Sequence, residues 1–237
     1  MAANVTLTAP RLVEPVLGQR YIDHLRAGHR WRALSYLLGK SLVKALDGLD
    51  GPVVRGINGA TLAGAGFDAG TDMLGTFDDG QRIKQAHDHL GIDDGITESV
   101  VDIRMFTDLA VVAVGGIGNT LAAALAERAG ATVPPQDQPK ANAAGKLKFA
   151  LSAAADATLL LGTIPKSPDT QARFKKAGTA LLIGSVTAGA VSIYKYAKST
   201  RRNLRLIACL NAEDAPMQPV HEINRNVTRR GIEGDVR

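Results

Sequence analysis

The segment between Asp47 and Asp72 constrains the fold more than any other part of the chain, because it carries two pairs of acids at helical spacing. Asp47 and Asp50 are three residues apart, and Asp68 and Asp72 are four apart, so each pair shares one face of a helix. Four carboxylates brought together without cations would repel one another and raise their own pKa values. The pattern therefore predicts two neighbouring helices that hold a divalent, oxygen-seeking ion such as Mg²⁺.

Three residues between the acidic pairs suit a phosphate ligand. Gly51 and Gly64 leave room for a ligand to approach the backbone, and Arg55 offers a planar fork of donors that matches phosphate oxygens. A metal-bound diphosphate would fit a pocket of this kind. The alternative interpretation is an acidic, glycine-rich loop between solvated helices.

The spacing of these residues resembles the signature of the CDP-alcohol phosphatidyltransferases, which reads D-x2-D-G-x2-A-R, a short spacer, then G-x3-D-x3-D. The chain matches this signature from Asp47 to Asp72, except that Val54 replaces the alanine before the arginine. Further along, AAGKLKFAL is similar to the G-K-x-K-T segment of phosphatidylglycerophosphate synthases, with Phe149 in place of the threonine. The resemblance therefore points to this family, and nearest to its phosphatidylglycerophosphate synthases.

The resemblance implies a fold and an activity. The fold is an all-α, six-helix, membrane-embedded bundle over residues 1–200, usually a homodimer. Such enzymes transfer the phosphatidyl group of a CDP-linked lipid such as CDP-diacylglycerol to the hydroxyl of a second alcohol and release CMP, with the help of Mg²⁺ or Mn²⁺. The expected acceptor is glycerol 3-phosphate, and the alternative is inositol phosphate or another phosphorylated alcohol. The family layout also implies a multi-pass protein of the cell membrane whose active site faces the cytoplasm.

Carried over residue by residue, the resemblance assigns the metal ligands. Asp47, Asp50 and Asp68 correspond to the family's ligands of metal and diphosphate. Asp72 corresponds to the general base, which can also contact a second metal ion.

The same resemblance assigns the substrate contacts. Gly51, Arg55 and Gly64 correspond to positions that bind the CDP moiety. Lys146 and Lys148 would bind the phosphate of the acceptor. The alternative for the two lysines is positive-inside anchoring beside a membrane span.

Charge and composition narrow the class of partner. A net charge of +5 and a pI near 9.4 suit anionic partners such as phospholipids, nucleic acid or phosphorylated substrates. Aromatic residues at 4% argue against base-stacking surfaces, so we expect no nucleic-acid partner. The single cysteine, Cys209, cannot form an internal disulfide, and no cleavable signal sequence is visible, which favours the reducing side of a cell membrane.

Three apolar segments are candidate membrane crossings: Leu109–Leu125, Phe149–Ile164 and Ala177–Tyr196. Asp156 interrupts the second of them. A buried acid at that position needs a partner, which either a helix-facing lysine or a water-filled cleft could supply. The sequence from residue 201 to 237 is basic at first and then polar without periodicity, so we expect a poorly ordered tail.

The helix predicted from Trp31 to Asp50 carries Lys40, Lys44 and Asp47 at i, i+4 and i+7, so these charges form one stripe that leads to the proposed metal site. The stripe suits either a span that lines an active cleft or a soluble amphipathic helix.

The next predicted helix turns charged from Asp78 onward. Five acids from this point on are expected to be solvated rather than to bind metal: Asp78, Asp79, Asp88, Asp93 and Asp94. Two interpretations therefore compete with the enzyme: a non-catalytic membrane relative and a soluble helical binding protein.

Overall fold

The structure is a computed structural model that describes residues 13–58, 62–92, 94–134, 136–137 and 142–213. Within these ranges, the side chains of residues 45–73 and 211–213 are not described. This part of the chain contains six helices and no strand. Their bounds are α1 Glu14–Arg26, α2 Arg30–Asn58, α3 Leu62–Leu90, α4 Ile96–Arg128, α5 Ala143–Leu161 and α6 Pro168–Glu213. The predicted all-α class with six helices is confirmed.

Helix ends coincide with local signals in the sequence. α1 ends at the turn that contains Gly28, whose φ of 74° favours glycine. The Asp94 carboxylate accepts a hydrogen bond from the Thr97 N–H at 2.9 Å near the start of α4. This hydrogen bond, together with the neighbouring Lys175 ammonium, lowers the pKa of Asp94 to about 2. Asn142 caps α5 by accepting from the Gly145 N–H at 2.9 Å.

The central part of α4 is a π-helix from Val112 to Asn119, between α-helical segments Ile96–Val111 and Thr120–Arg128. A π-helical stretch holds one more residue per turn than an α-helix would, and such stretches are often found near functional sites. Gly115 lies within it and packs directly against the ring of Tyr196 on α6.

Contacts between helices fix their directions. The Thr97 and Thr179 hydroxyls are 3.0 Å apart, and Gly189 packs against Thr107. Ten residues further along α4 thus correspond to ten residues further along α6, so the two helices run parallel. α5 packs against α6 in the opposite direction, with the Ser152 and Ser185 hydroxyls 2.6 Å apart. The bundle therefore alternates up and down along the chain, which places α2, α4 and α6 in one direction.

Small residues let α5 and α6 approach closely. A Cβ atom built on Gly178 would lie 2.5 Å from Cγ of Leu159, whereas one built on Gly184 would lie 3.4 Å from Cδ1 of Leu151. The two glycines lie on the same helix, so they form a matched pair in which only one position is crowded.

We expect Gly178→Ala to lower the free energy of unfolding by about 1–3 kcal/mol, because overpacking forces a buried leucine to move. Gly184→Ala is the control and is expected to be neutral or slightly stabilising, since alanine is the better helix former. Thermal unfolding of both purified variants measures the difference. Equal midpoints for the two variants would contradict the crowding at Gly178.

By length and composition, two of the described helices are long and apolar enough to cross a membrane: Ile96–Arg128 and Pro168–Leu210. The predicted crossings Leu109–Leu125 and Ala177–Tyr196 fall within them. The third predicted crossing, Phe149–Ile164, falls mainly on α5, which carries buried charge.

The last helix extends beyond the predicted start of the tail. α6 continues to Glu213, so the expected boundary after residue 200 falls inside a helix. The physical reason is local, because RRNLRLIACLNAE contains neither glycine nor proline and is rich in helix formers. Residues 214–237 of the predicted tail lie outside the described residues.

Candidate functional site in the bundle interior

Charged side chains from four helices meet inside the bundle. We call this set the buried charge network, and its members are Lys40 and Lys44 on α2, Asp78, Asp79 and Arg82 on α3, Arg104 and Asp108 on α4, and Lys148 and Asp156 on α5. Each carboxylate in the network contacts at least one cation. Burial of charge on this scale is costly unless the charges are paired, so the pairing explains how the interior tolerates them.

The first half of the network joins α2 to α3. Lys40 Nζ lies 2.6 Å from Asp78 Oδ2 and 2.7 Å from Asp79 Oδ1, and Lys44 Nζ lies 2.5 Å from Asp79 Oδ2. Asp79 is only 2% exposed. Two ammonium groups therefore share one buried carboxylate, which fixes the face that α2 presents to α3.

The second half joins α4 to α5. Arg104 is 1% exposed, and its guanidinium pairs with Asp156 and, at 3.2 Å, with Asp108 on the next turn of its own helix. Lys148 pairs with the other oxygen of Asp108. Lys44 Nζ lies 3.3 Å from Asp156 Oδ2 and so connects the two halves. A continuous path of opposite charges thus crosses the bundle from α3 to α5.

Helix α1 covers one end of this path. A Cβ atom built on Gly18 would lie 3.0 Å from Asp78 Oδ2, 3.1 Å from Lys40 Nζ and 3.2 Å from Arg82 Nε. The absence of a side chain at Gly18 therefore lets α1 pack directly on the charges.

The backbone places the predicted metal and CDP ligands on two consecutive helices. Asp47, Asp50, Gly51 and Arg55 belong to α2, and Gly64, Asp68 and Asp72 belong to α3. Their side chains fall within residues 45–73 and lie outside the described side chains, so the predicted coordination stays a prediction. Elsewhere, in the side chains that are described, no three His, Cys, Asp or Glu residues are grouped so as to hold a metal ion.

The two predicted acceptor lysines lie on different sides of α5. Lys148 is largely buried and pairs with Asp108, whereas Lys146 is exposed. Lys148 is thus already engaged by an acid of the protein. An incoming phosphate would have to compete with Asp108 for it.

Sequence reasoning was wrong about two acids of α3. Asp78 and Asp79 were expected to be solvated, yet both are buried or nearly so and paired with Lys40. The physical reason is that Lys40 and Lys44 come from α2, which sequence neighbours do not reveal. Among their described partners, only Arg82, four residues after Asp78 on α3, is within helical reach in the sequence. Asp88 and Asp94 are exposed, as expected, and Asp93 lies outside the described residues.

The partner expected for Asp156 is confirmed as a helix-facing lysine, Lys44. Sequence reasoning missed Arg104 and Asp108, although a signal was present. They lie four residues apart on a helix that leads into a long apolar run, and paired charges at such positions commonly face a bundle interior.

Comparison of the chain with protein-family models, with curated proteins and with solved structures gives no match.

Proposed function

We propose that the chain is a CDP-alcohol phosphatidyltransferase that moves a phosphatidyl group from a CDP-linked lipid, such as CDP-diacylglycerol, to a phosphorylated alcohol and releases CMP. The observation that carries this proposal is the acidic signature of Asp47 to Asp72, whose residues belong to two consecutive helices. The described contacts around the signature support it in three ways.

The first support is the direction of α2 and α3. α2 ends at Asn58 and α3 begins at Leu62, so the ends of the two helices are close in the chain. Far from that turn, Lys40 and Lys44 of α2 both contact Asp79 of α3. Helices that meet at both places run antiparallel, side by side.

The second support is register. In an antiparallel pair, residues equally far from the turn lie at the same height. Asp47 is about as far from the end of α2 as Asp72 is from the start of α3, and Asp50 and Asp68 are similarly matched to within about one turn. This register favours a shared site for the four acids.

The third support is the face on which the acids lie. Asp47 follows Lys44 by three residues and Asp72 precedes Asp79 by seven, so each acid shares a helix face with a member of the buried charge network. Lys44 and Asp79 point into the bundle and contact each other.

The donor set fits the proposed cofactor, because Mg²⁺ and Mn²⁺ both prefer oxygen ligands and Asp47, Asp50, Asp68 and Asp72 supply only carboxylates. Bound there, divalent cations would neutralise charge on the diphosphate and make CMP a better leaving group.

The remaining roles belong to side chains of this chain. Asp72 accepts the proton of the acceptor hydroxyl, whose oxygen forms the new bond to the lipid-bearing phosphorus while the bond from that phosphorus to CMP breaks. Arg55 binds phosphate oxygens in a bidentate manner, and Gly51 and Gly64 allow the nucleotide to approach the backbone. Glycerol 3-phosphate is the proposed acceptor, with inositol phosphate as the alternative, and Lys146 and Lys148 are its proposed phosphate contacts.

The distribution of charge supports a membrane location. In the described bundle, several charged side chains point inward while their large apolar neighbours in the sequence are exposed. Leu38 and Leu42 are exposed beside Lys40, Ile103, Phe106 and Leu109 are exposed around Arg104 and Asp108, and Leu147 and Phe149 are exposed beside Lys148. A protein surrounded by water favours the reverse arrangement, whereas lipid favours this one. We therefore extend the proposal to a multi-pass membrane protein, a homodimer with its active site at the cytoplasmic interface.

A CMP-release assay tests the activity. Detergent-purified protein is given CDP-diacylglycerol with glycerol 3-phosphate, with inositol phosphate or with no acceptor, each with Mg²⁺, with Mn²⁺ or with chelator. We expect CMP release that needs both a divalent ion and an acceptor. A folded, membrane-bound protein that releases no CMP with any acceptor would overturn the enzymatic proposal and favour a non-catalytic membrane relative.

Fractionation after lysis without detergent tests the location. The proposal expects the protein in the membrane pellet, resistant to high salt. Recovery in the aqueous fraction would instead favour a soluble helical binding protein.

A further inference from the structure

The exposed surface of α6 changes character abruptly along the helix. From Ala177 to Tyr194 its exposed residues are small or apolar, and they include Ile183 and Val191. Tyr194 itself is 67% exposed. Beyond it, up to residue 210, five of the exposed residues are basic, and Leu204 is the one large apolar side chain exposed among them, at 50%.

We call the basic part of this helix the α6 basic surface. It comprises five exposed side chains: Lys195, Lys198, Arg201, Arg202 and Arg205. Arg202 has a described acidic partner, Asp137, at 3.4 Å. For the other four, the described part of the chain supplies no acid within ion-pair distance. Within the described residues, the surface thus presents positive charge that nearby acids do not compensate.

We propose that the α6 basic surface binds the phosphate headgroups of anionic phospholipids. The surface directly continues an exposed apolar face, so acyl chains against residues before Tyr194 would bring lipid headgroups to Lys195 and Lys198. A tyrosine at the boundary is typical of a membrane interface, where its ring lies among headgroups. Clustered Lys and Arg that directly follow an apolar span attract anionic lipids.

Nucleic acid suits the same surface less well. Beyond Tyr194, the exposed residues of the described part of α6 offer no aromatic ring on which a base could stack. The cations also lie on a helix whose preceding turns are apolar, which a nucleic-acid backbone would not cover. The charge of the α6 basic surface and the apolar face beside it therefore both favour an anionic lipid as the ligand.

This inference rests on the membrane location proposed above but not on the transferase chemistry. It gives the anionic lipids of the surrounding bilayer a defined contact on the protein, made by residues other than the acids of α2 and α3. The two proposals can therefore fail independently.

The test compares two triple variants of the full chain that carry the same change of charge. Lys198→Glu/Arg201→Glu/Arg205→Glu alters the α6 basic surface. Lys166→Glu/Arg173→Glu/Lys176→Glu alters exposed cations at the other end of α6 and in the loop just before it. Each detergent-purified protein is titrated with phosphatidylglycerol, with phosphatidylcholine and with a short oligonucleotide, and bound ligand is counted by native mass spectrometry at two salt concentrations.

We expect the wild-type protein and the second variant to bind phosphatidylglycerol in preference to phosphatidylcholine, more weakly at high salt. The first variant should lose on the order of 100-fold in apparent affinity for phosphatidylglycerol, since each basic residue contributes to the attraction. Equal binding of the two lipids by the wild-type protein, equal losses in both variants, or tighter binding of the oligonucleotide would each overturn the proposal. If the wild-type protein bound both lipids equally but was membrane-bound and released CMP, this inference alone would be overturned.

Discussion

Asp72→Asn is expected to reduce the rate of CMP release by about 10²–10⁴-fold, the usual contribution of a positioned general base. The amide cannot accept the proton of the acceptor hydroxyl, although it keeps nearly the same shape. The effect should appear in kcat, because an interaction needed only in the transition state is lost, and the apparent affinity for CDP-diacylglycerol should change much less.

The control for this variant is Asp88→Asn, on the same helix. Asp88 is exposed and remote from the signature, so its neutralisation should leave the rate within a factor of about two, as expected for a surface substitution. Unfolding midpoints of both variants show whether each protein is folded. Wild-type turnover by the Asp72→Asn protein would show that another group is the general base.

Arg104→Met is expected to lower the free energy of unfolding by about 3–5 kcal/mol, because it removes one partner from a buried ion pair. Arg104 is the one residue that contacts both Asp108 and Asp156 among the described ion pairs. Without the guanidinium, Asp156 keeps only its longer contact with Lys44, at 3.3 Å. Reversible unfolding in mixed detergent measures the loss.

The matched control is Lys84→Met, which removes a cation of an ion pair near the surface. Lys84 Nζ lies 2.5 Å from Asp102 Oδ1, but the side chain of Asp102 is 43% exposed. Such pairs contribute about 1 kcal/mol or less, so the control should be mild. The double variant Arg104→Met/Asp156→Leu should recover part of the stability, since it removes both charges of one pair. If Arg104→Met were no more harmful than Lys84→Met, the buried charge network would not stabilise the bundle.

Much of the fold could be predicted because helices are specified locally. Acids three and four residues apart, apolar runs of sixteen to twenty residues and the turn signals between them are visible in single segments of sequence. These signals predicted individual helices and the stripe of Lys40 and Lys44, and the structure shows both lysines facing the interior. The all-α class with six helices was an expectation from the family resemblance. The end of α6 was misplaced because a change in composition was taken for the end of a helix.

Partners from distant parts of the chain were harder to predict. Asp78 and Asp79 form part of a run of acids that is indistinguishable from a solvated surface until α2 supplies Lys40 and Lys44. Asp156 was easier, because an acid inside an apolar segment demands a partner. Its second partner, Arg104, comes from a helix that local sequence gives no reason to place beside it.

The length of α6 determines how far the helix reaches beyond a membrane. Its 46 residues measure about 69 Å along the axis, more than twice the thickness of the hydrocarbon layer of a bilayer. Beyond Tyr194, where the exposed face becomes rich in Lys and Arg, the turns to Glu213 extend roughly 28 Å further. In a membrane-embedded bundle, the last turns of α6 would thus project beyond the headgroup layer.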